Sequence, residues 1–300
     1  MKRIFLSLFS LTMALLLVVA LAYPAYAEGS APVAENLELR TYRGVAVGAR
    51  LRAFDPEDDV TGYEICTQPV KGRIELEPDG SFVYEPKEGK KGRDYFGYRA
   101  KDSQGNLSQE ATVTIKIEKQ RGEVSYSDME GSPQEFAAVH LAEEGIFTGE
   151  KIGDSYCFGP EKELSRGEFL SMCMLASDGP LVTTVMNTGF EDDDRIPCWM
   201  KPYVASAAMS GADCLGQSAS FGAAESISKA QAALILDELL KINDVSYMEL
   251  DMALEEDMAQ ACADLEAAGI VEDRPKAQET LTRSDAAQLL SRALELISGR

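Results

Sequence analysis

Ser165-Arg166-Gly167-Glu168, Ser228-Lys229-Ala230-Gln231 and Thr282-Arg283-Ser284-Asp285 are three copies of one short pattern: a hydroxyl, a base, a small residue, then an acid or amide. Each copy precedes an apolar, helix-forming run. A Ser or Thr followed three residues later by Glu, Gln or Asp reads as a helix start. The hydroxyl and the later side chain reciprocally satisfy backbone N–H groups that the first turn leaves open. The caps lie 63 and 54 residues apart, so they mark an internal repeat.

Outward from each cap the same order recurs. In the first repeat, Ser132-Pro133-Gln134-Glu135 predicts a capping box with Pro at the first helical position. The helix runs from Phe136 to a stop at Gly145, and a loop ending Phe158-Gly159-Pro160 leads to Ser165. In the second, Phe190-Glu191-Asp192 and Trp199 open a helix that ends at Gly211, and Phe221-Gly222 precedes Ser228. In the third, a helix from Met258 stops at Gly269, and Thr282 opens the last helix. Three helix–loop–helix units, none able to bury its apolar face alone, predict packing around a shared pseudo-threefold core.

Upstream the periodicity changes to strict alternation. Arg73-Ile74-Glu75-Leu76, the turn Pro78-Asp79-Gly80 and Ser81-Phe82-Val83-Tyr84 read as a hairpin. Tyr95–Tyr98 and Ala111–Ile117 read as further strands, and about seven short strands at this spacing predict an all-β sandwich. At the start, Lys2-Arg3, the apolar run Ile4–Ala22 and Ala25-Tyr26-Ala27 read as an export signal over residues 1–27. The run is also long enough to be retained as an anchor; Pro24 and the Ala-x-Ala pattern favour cleavage. The boundaries are then 1–27 signal peptide, 28–118 sandwich, 119–124 linker, and 125–300 repeats, divided 125–178, 186–243 and 244–300.

Composition narrows the partners. The formal net charge is −21, with 17 acids and 13 bases over residues 28–118 and 33 acids and 14 bases over 119–300. Such acidity argues against nucleic acid and anionic lipid surfaces, and otherwise serves solubility. No membrane insertion is expected after signal cleavage. The six cysteines permit disulfides in an exported chain, and sequence does not choose their pairing. No Cys-x-x-Cys, P-loop or Gly-x-Ser-x-Gly occurs, and His140 is the single histidine, read as a surface or boundary residue of a helix. An enzyme is not expected.

Two resemblances follow from these residues. Residues 28–118 resemble bacterial immunoglobulin/cadherin-like domains, through Asp55-Pro56-Glu57-Asp58-Asp59, Asp79-Gly80-Ser81-Phe82-x-Tyr84-x-Pro86, Gly92-x-Asp94-x-Phe96-x-Tyr98 and Asp102-x-x-Gly105. That implies a spacer or adhesive module. Residues 125–300 resemble three S-layer homology (SLH) repeats, through Tyr126-Ser127-Asp128, Phe190-Glu191-Asp192, the Gly-Ile turns at Gly145 and Gly269, the Phe-Gly loops and the three helix starts. The third repeat lacks a clear Phe-x-Asp start. This second resemblance implies a three-pronged helical domain that binds secondary cell-wall polysaccharide, often pyruvylated, on the surface of a bacterium. The motif arginine then lines the grooves between prongs.

The candidate ligand-binding residues are therefore Arg166, Arg283, Lys229 and Trp199. Ser165, Glu168, Ser228, Gln231, Thr282 and Asp285 are read as structural caps. A base at the positive end of a helix invites a compensating anion, which is either a ligand carboxylate or a neighbouring Asp or Glu. Trp199 is read as a sugar platform or, more commonly for an aromatic at helical spacing, as core. Asp55, Glu57, Asp58 and Asp59 offer the oxygens Ca²⁺ prefers; a solvated acidic loop is the competing and favoured reading. No other cofactor is expected. Two functions follow: wall anchoring through the repeats, or an envelope assembly scaffold with a surface-protein partner or self-association, whose degenerate repeats no longer bind glycan.

Overall fold

The computed structural model describes residues 29–299 apart from 123, 154, 178, 213–214, 216–218 and 243–252. The predicted signal, residues 1–27, lies outside the described residues, as do the first residues of the third repeat.

The N-terminal half is a β-sandwich. One sheet has the order β2 (Leu37–Tyr42), β9 (Ala111–Glu118), β8 (Gly92–Asp102), β5 (Val60–Thr67); the other has β3 (Val47–Arg50), β7 (Ser81–Pro86), β6 (Gly72–Leu76). A short pair, β1 (Val33–Ala34) with β4 (Ala53–Phe54), lies beside them. β2 and β9 run parallel, a long-range pairing that alternation alone does not predict. The β6–β7 turn needs Gly80 at φ +87°, and Asp79 Oδ1 accepts the Ser81 N–H at 3.0 Å. Alternate residues of β7, β8 and β9 point inward, so Phe82, Tyr84, Phe96, Tyr98, Val113 and Ile115 are buried between the sheets. Each such side chain contributes roughly 1.5–3 kcal/mol of hydrophobic stabilisation. Asp94 is buried with them but satisfied, accepting from Val70 N, Lys71 N and the Tyr84 hydroxyl.

The C-terminal half contains, among the described residues, six α-helices: α1 (Glu135–Glu143), α2 (Arg166–Ala176), α3 (Lys201–Met209), α4 (Lys229–Leu240), α5 (Glu256–Ala267) and α6 (Arg283–Ser298). It is not purely helical. The loop expected after Gly149 contains a hairpin, β10 (Glu150–Ile152) with β11 (Ser155–Cys157). α1 packs on α6, α2 on α3 and α4, and α4 on α5. α2, α4 and α6 each begin with a closed capping box, on Ser165/Glu168, Ser228/Gln231 and Thr282/Asp285.

The three helix starts are joined in a cycle. Leu164 N–H donates to Leu281 O, Leu281 N–H to Ile227 O, and Ile227 N–H to Leu164 O, at 3.0, 3.0 and 3.3 Å. One residue past each cap, Arg166 N–H donates to Glu225 O, Lys229 N–H to Glu279 O, and Arg283 N–H to Lys162 O. These amides belong to the open first turn, so each repeat supplies an acceptor for the preceding one's helix, and the first closes the cycle on the third.

The two halves are docked, and the expected linker is pinned. Glu143, its side chain 2% exposed, accepts the N–H groups of Arg121 and Gly122. Gly48 N–H donates to Pro133 O and Phe136 N–H to Ala46 O, so β3 continues its backbone pairing onto the start of α1. Here the capping box expected at Ser132 does not form. Glu135 reaches across to Ala46 N–H and Gly131 N–H, because the buried amide just before β3 lacks another acceptor.

Candidate functional site

The three basic residues after the caps sit at the junctions between repeats, and each meets a different environment. Arg166 lies over the Phe221 ring, 5.6 Å from its centroid. Arg283 is 6% exposed; its Nη1 donates to Phe158 O at 2.8 Å, and its guanidinium lies 5.0 Å from the Phe147 centroid. Its Nη2 also stands 3.5 Å from the exposed Glu150 carboxylate. Lys229 pairs with Asp285 at 3.0 Å and with Glu279 at 3.8 Å. Asp285 thereby serves two ends, closing the Thr282 cap with one oxygen and neutralising Lys229 with the other.

The anion expected beside Lys229 and Arg283 is therefore supplied in part from within the chain. For Arg283 the consequence is stronger: its guanidinium is spent on a buried carbonyl and two aromatic loops of the first repeat. Lys229 lines an open groove of about 650 Å³ with Arg274, Lys276, Arg292, Glu272 and Glu279. Arg292 pairs with Glu272 at 2.7 Å, so the groove carries both charges.

Trp199 is 56% exposed, against the commoner reading of such an aromatic as core. It packs edge-on against Tyr203, centroids 6.5 Å apart, and leaves a ring face open to solvent. Phe136, which opens the first repeat's helix, is instead buried under Tyr42 and Arg40 of the sandwich.

The Phe/Tyr-x-Asp positions prove to be loop clasps. Asp128 accepts from Phe158 N, Gly159 N and Cys157 Sγ. Asp192 accepts from Phe221 N and Gly222 N at 2.7 and 2.9 Å. Burial opposes the Asp192 charge, but the Gly222 and Phe221 amides outweigh it and hold the carboxyl below its usual range. These clasps place the aromatic loops against Arg283 and Arg166. The near-constant separation of 29–30 residues between Asp and Phe-Gly is the sequence signal that could have revealed them.

In the sandwich, Asp55, Glu57 and Asp59 each bring a carboxylate oxygen within 4.8 Å of the others, whereas Asp58 is not in the cluster. Asp58 has φ +54° and turns the loop. Asp55 is 6% exposed; Oδ1 accepts the Glu57 N–H and Oδ2 is buried without a hydrogen-bond partner. Three hard oxygen donors, one of them an orphan, fit a divalent cation such as Ca²⁺.

Among the described residues no disulfide is formed; Cys66 and Cys198 are exposed, Cys157 half-buried, Cys173 and Cys262 buried. No described helix is long and apolar enough to cross a membrane.

Among curated proteins nothing matches the chain. The SrpA adhesin of Streptococcus sanguinis is similar at 18% identity and a TM-score of 0.27, covering 33% of this chain and 67% of its own. The sialic acid binding region of another Streptococcus sanguinis adhesin is similar at 14% identity, TM-score 0.25, covering 52% and 42%. The D00-D0 domain of intimin is similar at 14% identity, TM-score 0.22, covering 31% and 50%. Residues 29–119 match the bacterial cadherin-like domain. This stretch, a β-sandwich, is a bacterial cadherin-like domain.

Proposed function

We propose that this is a bacterial cell-surface protein held to secondary cell-wall polysaccharide by three SLH repeats in a pseudo-threefold arrangement. The cadherin-like sandwich is its outward spacer or adhesive module. The observation that carries this reading is the cycle of backbone bonds joining three capped, base-bearing helix starts. It gives the repeats one shared hub. The open Trp199 face is the site for a sugar ring, and the Lys229 groove is a separate site for an acidic substituent of the polymer. Arg166 stands over Phe221 at another junction, and Arg283 acts as a staple on the Phe147 and Phe158 loops. The acidic loop at Asp55, Glu57 and Asp59 holds Ca²⁺.

The internal pairing of Lys229 and the burial of Arg283 favour a second reading, an envelope assembly scaffold whose repeats have lost glycan binding. Sedimentation with cell-wall sacculi separates the two. Anchoring predicts that the protein pellets with intact sacculi and stays in solution when the secondary polymer has been stripped. A scaffold pellets with neither, or equally with both.

A further inference from the structure

The junction between sandwich and repeats is built around the chain's single histidine, which the sequence placed near the surface. His140 is 2% exposed. Its Nε2 lies 2.7 Å from Arg40 Nη2 of β2, and its Nδ1 lies 2.8 Å from Ser291 Oγ of α6. A guanidinium can only donate. Nε2 must therefore accept, the ring must be neutral, and its one proton sits on Nδ1, directed at Ser291 Oγ. A second proton on Nε2 would confront the Arg40 N–H and abolish the bond. The contact that joins three elements, β2, α1 and α6, exists in one protonation state only.

The surrounding charges favour that neutral state. From β2 the ring faces Arg40 and the neighbouring Tyr42; from α6 it faces Ser291 and, through Arg40, Glu295, which holds the Arg40 Nε at 2.6 Å. On α1, Phe136 stacks on the imidazole at 5.4 Å, and Glu144 Oε1 stands 3.9 Å from Nε2. Glu144, the acid that would welcome an imidazolium, is committed to Arg121 of the linker. Glu143 is committed to the linker amides.

We propose that His140 is an acid-released latch: neutral, it clamps the cadherin-like domain onto the first and last helices of the repeats, and protonated, it lets that domain swing away. Release would uncover Phe136 and free the β3 edge at Ala46 and Gly48. The proposal holds whether or not the repeats bind polysaccharide.

The size of the effect follows from linkage. Burial, then Arg40 and Arg121, push the imidazole down from 6.5 to about 4. A group with a depressed value stabilises the docked form fully above its free value, and that contribution erodes as pH falls from 6.5 to about 4. Docking then weakens by roughly 300-fold across the window. Glu135, whose carboxyl burial raises, accepts from Ala46 and Gly131 at the same junction, and the His140→Gln variant retains it.

Because the chain has one histidine, NMR of ¹⁵N,¹³C-histidine in the full chain reads this site alone. We expect the Nδ1–H tautomer at pH 7 and a protonation midpoint between the docked value of about 4 and the free value of 6.5, because release on protonation draws it upward. Small-angle scattering should show the maximum dimension rising over the same pH range, with far-UV circular dichroism unchanged. His140→Gln supplies an amide that accepts from Arg40 and donates to Ser291 without titrating, and should stay compact at pH 4. A midpoint near 6.5, constant dimensions through the titration, unfolding in place of opening, or His140→Gln opening at the same pH as the unsubstituted protein each overturns the proposal. The NMR and scattering arms need no variant to fold.

Discussion

Replacing Arg283 with Ala tests whether the base at a helix start holds the repeats together or waits for a ligand. The substitution removes a charge-assisted bond to the buried Phe158 carbonyl and the packing over Phe147. A hydrogen bond to a charged group contributes about 1.5–3 kcal/mol. A desolvated cation–π contact adds about 0.5–2 kcal/mol. The Glu150 partner is 64% exposed, so that pair adds little. The expected loss is about 2–4 kcal/mol, since the carbonyl left behind stays buried. With a urea slope of about 2 kcal/mol per molar, the unfolding midpoint of the repeats falls by about 1–2 M. Lys229→Ala breaks ion pairs between half-exposed groups and should cost at most about 1 kcal/mol. Urea titrations of both variants read the difference. An Arg283→Ala midpoint indistinguishable from the parent, or a larger loss for Lys229→Ala, would refute the staple.

Asp192→Ala removes the acceptor of two loop amides and should cost about 1–3 kcal/mol, with faster amide exchange at Phe221 and Gly222 as its local sign. Millimolar Ca²⁺ should raise the thermal midpoint of the parent and leave Asp55→Asn unmoved; equal shifts in both would remove the cation site. The Lys201 side chain, with Thr188, draws the Asp193 carboxyl down from 3.8 to about 2. Its stabilisation is complete above pH 3.8 and disappears as pH falls through about 2, so Asp193→Asn should flatten that acid segment of the stability curve and leave the segment above pH 4 unchanged.

Local chemistry was legible in the sequence and long-range geometry was not. The β6–β7 hairpin is written in Pro78-Asp79-Gly80, because a left-handed turn residue and an Asx contact need only neighbours. The alternation of β7 through β9 marks an inward face, but the sheet order, with β2 parallel to β9, was not legible. The fate of the junction bases was out of reach. Arg166, Lys229 and Arg283 stand at equivalent places in sequence, yet meet an aromatic ring, two acids and a buried carbonyl, because each partner comes from a different repeat. Ser132-Pro133-Gln134-Glu135 has the spacing of a cap, but Glu135 answers a stronger demand from an unpaired amide just before β3, 89 residues away. His140 misled for the same reason: a helix face that looks half-polar in isolation is buried once another domain lies on it.

Docking also changes what the sandwich can do. With Glu143 gripping residues 121–122 and β3 paired to the start of α1, the cadherin-like domain is tied to the repeats at two places. It also covers Phe136, so among the described residues of the repeats the exposed aromatic is Trp199.

Trp199 is the chain's single tryptophan, so its fluorescence reports one position without labelling. Titrating purified secondary cell-wall polysaccharide into the full protein tests wall anchoring most directly. Wall anchoring predicts a saturable change in intensity with a blue shift, as a sugar ring covers the open indole face. An emission spectrum unchanged at polymer concentrations that saturate a wall-binding control would contradict it.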